Sequence, residues 1–221
     1  MAKILNYNEH YFDIIDTPNK AYFLGLSLAD ATISKYYYEK QDKYFYRYKL
    51  NLNVVDKEIV EIFAGEIGAE VKIVETRSRT RNKTYLTANV EIKNKHLVET
   101  LANNFGGYKK DERITYNVPD KYLNYFIRGY FDGDGSLSKS TSGWELSLSG
   151  REPILEKILI DLDLQAKIYN NKSIKAIRLR RKNDIKSFLN FIYKDVYKCT
   201  NLTPCITRKL EISNKFMEEC S

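Results

Sequence analysis

The spacing of apolar and polar residues changes period along the chain, and each change marks an element. Residues 21–29, Ala-Tyr-Phe-Leu-Gly-Leu-Ser-Leu-Ala, form an apolar helical run, with Thr17 as N-cap and Pro18 in the first turn. Strand character follows over 33–39 and 45–54. In the second of these Tyr48, Leu50, Leu52 and Val54 alternate with Arg47, Lys49, Asn51 and Asn53, so one face is apolar and the other carries long donors and amides. Residues 56–67 read as an amphipathic helix that Gly68 stops. A hairpin of 71–76 and 85–93 joined by a basic tip, and a closing helix over 95–105, complete a unit; Gly106-Gly107 then opens a polar connector to Val118.

The order repeats in fewer residues. Pro119 opens a second apolar helix, strands are expected over 136–138 and 144–149, and a helix over 152–162. Residues 167–169 pair with 174–180 across Asn170-Asn171, and 184–193 is again amphipathic. The predicted boundaries are 1–107 for the first half, 108–118 for the connector, 119–199 for the second half and 200–221 for an extension that packs as an extra helix or adds to ligand contact.

Both apolar helices end on an acid, Leu28-Ala29-Asp30 and Asp132-Gly133-Asp134, which lie 134 − 30 = 104 residues apart. Their openings, Tyr22-Phe23 and Tyr125-Phe126, match only if an extra residue is absorbed at Ile127. Counting back from the acids is cleaner: Gly25 and Ala29 stand five and one residues before Asp30, as Gly129 and Gly133 do before Asp134. Small residues four apart share a helical face and let two backbones approach closely. Helices packed on that face would bring Asp30 and Asp134 together at the negative ends of two helix dipoles. Two carboxylates there conflict unless a divalent cation joins them. Magnesium suits such an oxygen-rich site, and it also binds phosphate oxygens and activates water. The pattern points to a metal-dependent phosphodiester site.

Ile127-Arg-Gly-Tyr-Phe-Asp-Gly-Asp-Gly135 closely, and Phe23-Leu-Gly-Leu-Ser-Leu-Ala-Asp-Ala31 more loosely, resemble the paired signature of the monomeric LAGLIDADG homing endonucleases. The resemblance implies an α+β fold of two pseudo-symmetric αββαββα units, packed through their motif helices, with antiparallel sheets forming a DNA-binding saddle. It implies site-specific cleavage of both DNA strands across the minor groove, with short 3′ overhangs, by a monomer needing no protein partner. Magnesium would lie between Asp30 and Asp134, with the carbonyls of Ala31 and Gly135 as further ligands. Manganese would substitute, and calcium would bind without supporting cleavage. A functional lysine is frequent near the strand preceding each closing helix, which points to Lys93 and Arg180 as the basic catalytic partners.

DNA contact is expected from Lys35, Arg47, Lys49, Asn51 and Asn53, and from the hairpin residues Arg77, Arg79, Arg81 and Lys83. In the second half it is expected from Ser138, Glu145, Ser147 and Ser149, and from a mirrored hairpin cluster of Lys172, Lys175, Arg178, Arg180, Arg181 and Lys182. The sequence departs from the family pattern at Ala31, where a left-handed glycine is expected and another residue would cost about 1–2 kcal/mol. A polar residue expected at the end of the second strand has no clear counterpart, since Val54 and Gly150 fall there.

Composition narrows the alternatives. Lysine and arginine exceed aspartate and glutamate by 36 − 29 = 7, which favours an anionic partner. No run is apolar enough for a membrane span or signal peptide, so an intracellular setting is expected: prokaryotic, phage or archaeal cytoplasm, or an organelle. Cys199, Cys205 and Cys220 lack paired spacing, and neither a disulfide framework nor a cysteine zinc site is indicated. His10 and His96 are the only histidines, so carboxylates must carry the chemistry. Asp132-x-Asp134-Gly135 is no calcium loop, because Gly143 stands where an EF-hand requires glutamate. Glu91-x-Lys93 is likewise no PD-(D/E)xK site, since Pro119-Asp120 follows it. The remaining rival is a catalytically inactive nucleic-acid-binding protein or intron maturase on the same fold.

Overall fold

The computed structural model describes residues 7–77, 83–171, 174–196 and 203–220. The first unit runs α1 (Pro18–Asp30), β1 (Thr32–Tyr38), β2 (Lys43–Asn53), α2 (Lys57–Ile67), β3 (Lys72–Arg77), β4 (Thr84–Ile92) and α3 (Lys95–Phe105). The second repeats it as α4 (Leu123–Asp134), β5 (Gly135–Ser140), β6 (Gly143–Gly150), α5 (Glu152–Asp161), β7 (Ile168–Asn171), β8 (Ile174–Leu179) and α6 (Lys182–Tyr193). A further helix, α7 (Thr207–Glu219), packs on the second unit through Phe216, whose ring meets Trp144 edge-on at 5.5 Å. This is the extra helix expected of the extension.

Each unit is an antiparallel four-stranded sheet, ordered β1-β2-β4-β3 and β5-β6-β8-β7. Strand alternation sets what each face carries. Tyr48, Leu50 and Leu52 pair with Ile92, Val90 and Ala88 on the helix-covered side, and all six are buried. In the second sheet Leu146 and Leu148 pair with Leu179 and Ile177 in the same way. Thr17 accepts a hydrogen bond from the Lys20 amide at the start of α1, and Gly68, at φ 74°, closes α2 in the left-handed conformation.

Some boundaries differ from the sequence expectation. Pro119 caps a short 3-10 turn over Asp120–Tyr122, and α4 starts only at Leu123. Asn170 and Asn171 do not form the turn; they pair with Lys175 and Ile174 and lengthen β7.

The two units join through α1 and α4, which cross with backbone against backbone. A Cβ added at Gly25 would lie 2.0 Å from the Phe126 carbonyl oxygen, and one at Gly129 would lie 2.0 Å from that of Tyr22. Phe126 and Tyr22 each stand eight residues before their acid, so the contact has two-fold symmetry in the register counted from Asp30 and Asp134. The symmetry mate of Tyr22 is therefore Phe126, not Tyr125. A bond from the Tyr22 hydroxyl to Asp132 Oδ2 (2.7 Å) ties the helices together beside this contact.

Because the obstructing atoms are backbone, Gly25→Ala and Gly129→Ala are each expected to destabilise the fold by about 3 kcal/mol. Gly65→Ala, on an open face of α2, should raise stability by about 0.5–1 kcal/mol. Urea denaturation of the three variants checks the contrast.

Candidate metal centre and nucleic-acid interface

Asp30 and Asp134 are the last residues of α1 and α4. The close crossing carries them side by side: a Cβ on Gly133 would meet Ala29 Cβ at 2.4 Å and Asp30 Oδ2 at 3.2 Å. Burial raises both carboxyls above the ordinary aspartate range. For Asp134, pushed up to about 6, Lys110 opposes that shift and the charge of Asp30 adds to it. Lys110 Nζ lies 3.8 Å from Asp134 Oδ2. Asp134 also faces a cavity of about 310 Å³ lined by Lys110, Arg113, Tyr130, Ser149 and Arg151, among others.

A buried cation closes the end of each motif helix. Arg113, from the connector, donates to the carbonyls of Ser27 (3.2 Å), Leu28 (2.8 Å) and Ala31 (2.8 Å). Lys209, from α7, donates to those of Phe131 (2.6 Å), Asp132 (2.6 Å) and Gly135 (2.8 Å). The Leu28 and Asp132 carbonyls are among those a helix end leaves without partners, whereas those of Ser27 and Phe131 also accept the Ala31 and Gly135 amides; a cation there meets the negative end of the dipole as well. Burial lowers Arg113 to about 10 and Lys209 to about 8.

The Ala31 and Gly135 carbonyls, expected as metal ligands, each accept a bond from a guanidinium or an ammonium, whose charge works against a second cation while one lone pair of each oxygen stays open. The expected strain at Ala31 is absent. Ala31 (φ −75°, ψ 141°) and Gly135 (φ −97°, ψ 162°) are both extended, so neither site needs a left-handed residue. Glycine at 135 makes room: a Cβ there would lie 2.3 Å from the Phe131 ring.

Lys93 and Arg180 are not the basic groups that the structure sets beside the acids. Lys93 is exposed, 3.8 Å from Glu91, and Arg180 donates to Glu145 at 2.6 Å. The cations with the largest influence on the two carboxylates are Lys110, Lys209, Arg113 and Arg208. Sequence reasoning missed all four. It also missed Asp56, two residues past Val54, which is buried, pairs with Arg208 at 2.8 Å and acts electrostatically on Asp30.

On the open face of the first sheet, Arg47, Lys49 and Asn51 are half-buried; Arg47 Nε, Asn51 Oδ1 and the Ser34 hydroxyl are shielded and make no hydrogen bond within the described residues. Asn53 accepts from the Val55 amide at the strand's end. Lys35 is on the other face: it stands opposite Tyr46, in phase with buried Ile33, and lies over the Tyr44 and Tyr46 rings. In the second sheet Ser138, Glu145, Ser147, Ser149 and Arg178 share the open face, and Glu145 draws in both Arg178 (3.9 Å) and Arg180. Lys175 is in phase with buried Ile177 and pairs with Glu152 of α5 at 3.5 Å, again on the helix side. Arg181 and Lys182 begin α6, at the end of β8 away from the hairpin. Arg77 ends β3 and exposed Lys83 precedes β4; Arg79, Arg81 and Lys172 lie outside the described residues.

A family model described as the WhiA LAGLIDADG-like domain matches residues 123–195. An uncharacterized protein of Methanocaldococcus jannaschii is 30% identical over 133 residues, 59% of this chain, which spans only 43% of that protein's length. Similar solved structures include the homing endonuclease I-WcaI bound to its DNA recognition sequence (TM-score 0.59, 16% identity, 91% of each chain covered). Another is the LAGLIDADG meganuclease I-AabMI bound to uncleaved DNA (TM-score 0.58, 12% identity, 92% of this chain and 90% of that one). A variant of I-DmoI with its target DNA in the presence of manganese gives a TM-score of 0.54 at 17% identity, covering 80% of this chain and 94% of that one. The chain has the two-unit LAGLIDADG fold. Among the described residues no helix is long and apolar enough to cross a membrane.

Two measurements probe the site. A carboxyl raised in the folded state favours folding below its unfolded value, and that advantage is lost as pH rises through about 6 for Asp134. Asp134→Asn is therefore expected to raise the melting temperature of the metal-free protein at pH 8 and to leave it nearly unchanged at pH 4. Lys209→Met should lower stability by about 2 kcal/mol, through the charge-assisted bonds lost at the end of α4.

Proposed function

We propose that this two-motif LAGLIDADG protein is a site-specific endonuclease that hydrolyses both strands of double-stranded DNA, with Asp30 and Asp134 holding magnesium between them. The observation that carries this reading is the pair of carboxylates set side by side at two helix ends, where burial and mutual repulsion leave a conflict that a divalent cation relieves. The donor set fits magnesium, which takes one or two carboxylates together with substrate phosphates and waters. When bound, the ion supplies Lewis-acid charge and an activated water for in-line hydrolysis.

The chain's own residues do the rest. Asp30 and Asp134 each serve one strand, from positions fixed by the helix crossing. Lys110, half exposed beside Asp134, meets the charge that grows on the phosphate. Arg47, Lys49, Asn51, Ser147 and Arg178 contact the duplex from the open sheet faces. The halves 1–107 and 119–199 each cover about one DNA turn, roughly 10 bp, giving a long asymmetric target and short 3′ overhangs. The protein works as a monomer inside the cell; manganese replaces magnesium, and calcium binds without cleavage.

A second reading, a DNA-binding protein without nuclease activity, is favoured by the match of 123–195 to the WhiA LAGLIDADG-like domain and by the cations on the Ala31 and Gly135 carbonyls. Incubation with magnesium and a library of candidate insertion sites, followed by sequencing of the ends, separates the two. Double-strand breaks that disappear in Asp30→Asn and Asp134→Asn, with DNA affinity retained, are expected. Binding without breaks under any divalent metal would establish the second reading, and full cleavage by either variant would overturn the first.

A further inference from the structure

Away from the two motif acids, the described residues gather one further group of metal-ligating side chains. The two histidines of the chain, 96 − 10 = 86 residues apart, both turn onto one carboxylate. His10 Nδ1 is 2.7 Å from Asp13 Oδ2, and His96 Nε2 is 2.7 Å from Oδ1 and 2.9 Å from Oδ2 of the same residue. All three ligand atoms lie within 4.8 Å of one another, and the imidazole centroids are 4.5 Å apart.

The local structure holds each group in place. His10 and Asp13 belong to the turns that lead into α1, where the Asp13 amide donates to the His10 carbonyl (3.1 Å). His96 is the second residue of α3, whose N-cap Asn94 accepts from the Leu97 amide (2.9 Å). Around these lies a supporting set. Glu9 Oε1 stands 3.7 Å from His10 Nε2, on the ring edge away from Asp13, while its other oxygen accepts from Asn94. Thr100 donates to Asp13 Oδ1 (3.3 Å). A carboxylate behind a ligating imidazole, and a hydroxyl orienting a ligating carboxylate, are what commonly fix such ligands. Burial works to raise the Asp13 carboxyl, but hydrogen bonds from both histidines outweigh it and keep the group ionised.

We propose that His10, Asp13 and His96 form a second metal site, which takes a zinc-like divalent transition ion and clips the segment ahead of α1 to the first turn of α3. Two imidazoles and one carboxylate select such an ion over magnesium, which prefers all-oxygen sites. The ion takes the place of the hydrogen bonds between the rings and Asp13: each neutral imidazole ligates through the nitrogen that faces Asp13 and keeps its one N–H on the other, and a protonated ring must first give up a proton to the solvent. Open solvent beside the exposed rings leaves the remaining coordination to water. The clip joins the two ends of the first unit's chain, since α1 begins five residues after Asp13 and α3 closes the unit. It is therefore a stabilising site, separate from the pair that Asp30 and Asp134 make.

Calorimetric titration of the full chain with zinc chloride near pH 7.5, with excess magnesium present to fill the carboxylate pair, tests this. One zinc per chain is expected, with a higher melting temperature than magnesium alone produces. His10→Gln and His96→Gln should each lose that zinc while melting, without it, close to the parent, because both rings are exposed. Glu9→Gln should weaken it by about tenfold. Acidification should release it, because a protonated imidazole has no lone pair for the ion. Absence of saturable zinc binding, or zinc retained by the His96→Gln variant, would overturn the proposal.

Discussion

Two backbones touch where α1 crosses α4, and the rest of the molecule is arranged around that contact. Gly25 faces the Phe126 carbonyl and Gly129 faces that of Tyr22, with no space for a side chain at either position. An approach this close sets the relative height of the helices to within a fraction of a turn. It therefore also sets where their last residues fall. The sheets need only follow, each packing its apolar face over its own helices while its polar face stays open.

The price of the arrangement is electrostatic. Crossing at the glycines puts two carboxylates and two dipole ends of the same sign in one place. Arg113 and Lys209 answer the dipoles by binding carbonyls at the helix ends, and Lys110 answers part of the carboxylate charge. Neither cap comes from a sheet. One lies in the connector after α3, the other in the helix after α6, so the segments outside the repeated elements complete the centre that those elements begin.

Periodicity made most of the fold legible. Alternation in β2 and the helical runs of α2, α3 and α6 placed those elements within a residue or two, and counting from the acids gave the α1–α4 register. Faces were misjudged where charge was weighed before phase: Lys35 keeps step with Ile33, and Lys175 with Ile177, so both belong to the helix side. The left-handed residue expected at Ala31 is not needed, and at the equivalent Gly135 what matters is room beside Phe131. The caps carried no periodic signal, because a residue in a connector or tail reaches its partner only through tertiary packing. Their one trace in the sequence is positional: a basic residue follows the closing helix of each half.

The two caps differ in kind, and this bears on the symmetry of the centre. Arg113, lowered to about 10, and Lys209, lowered to about 8, do equivalent jobs under equivalent carbonyls. Burial works against the charge of both, yet each keeps its place by donating to three carbonyls at its helix end. A flat guanidinium spreads its charge over a fork, whereas an ammonium concentrates it at one point. Halves that match in backbone shape thus present unlike fields to whatever lies between their acids, and an asymmetric ligand meets an asymmetric centre.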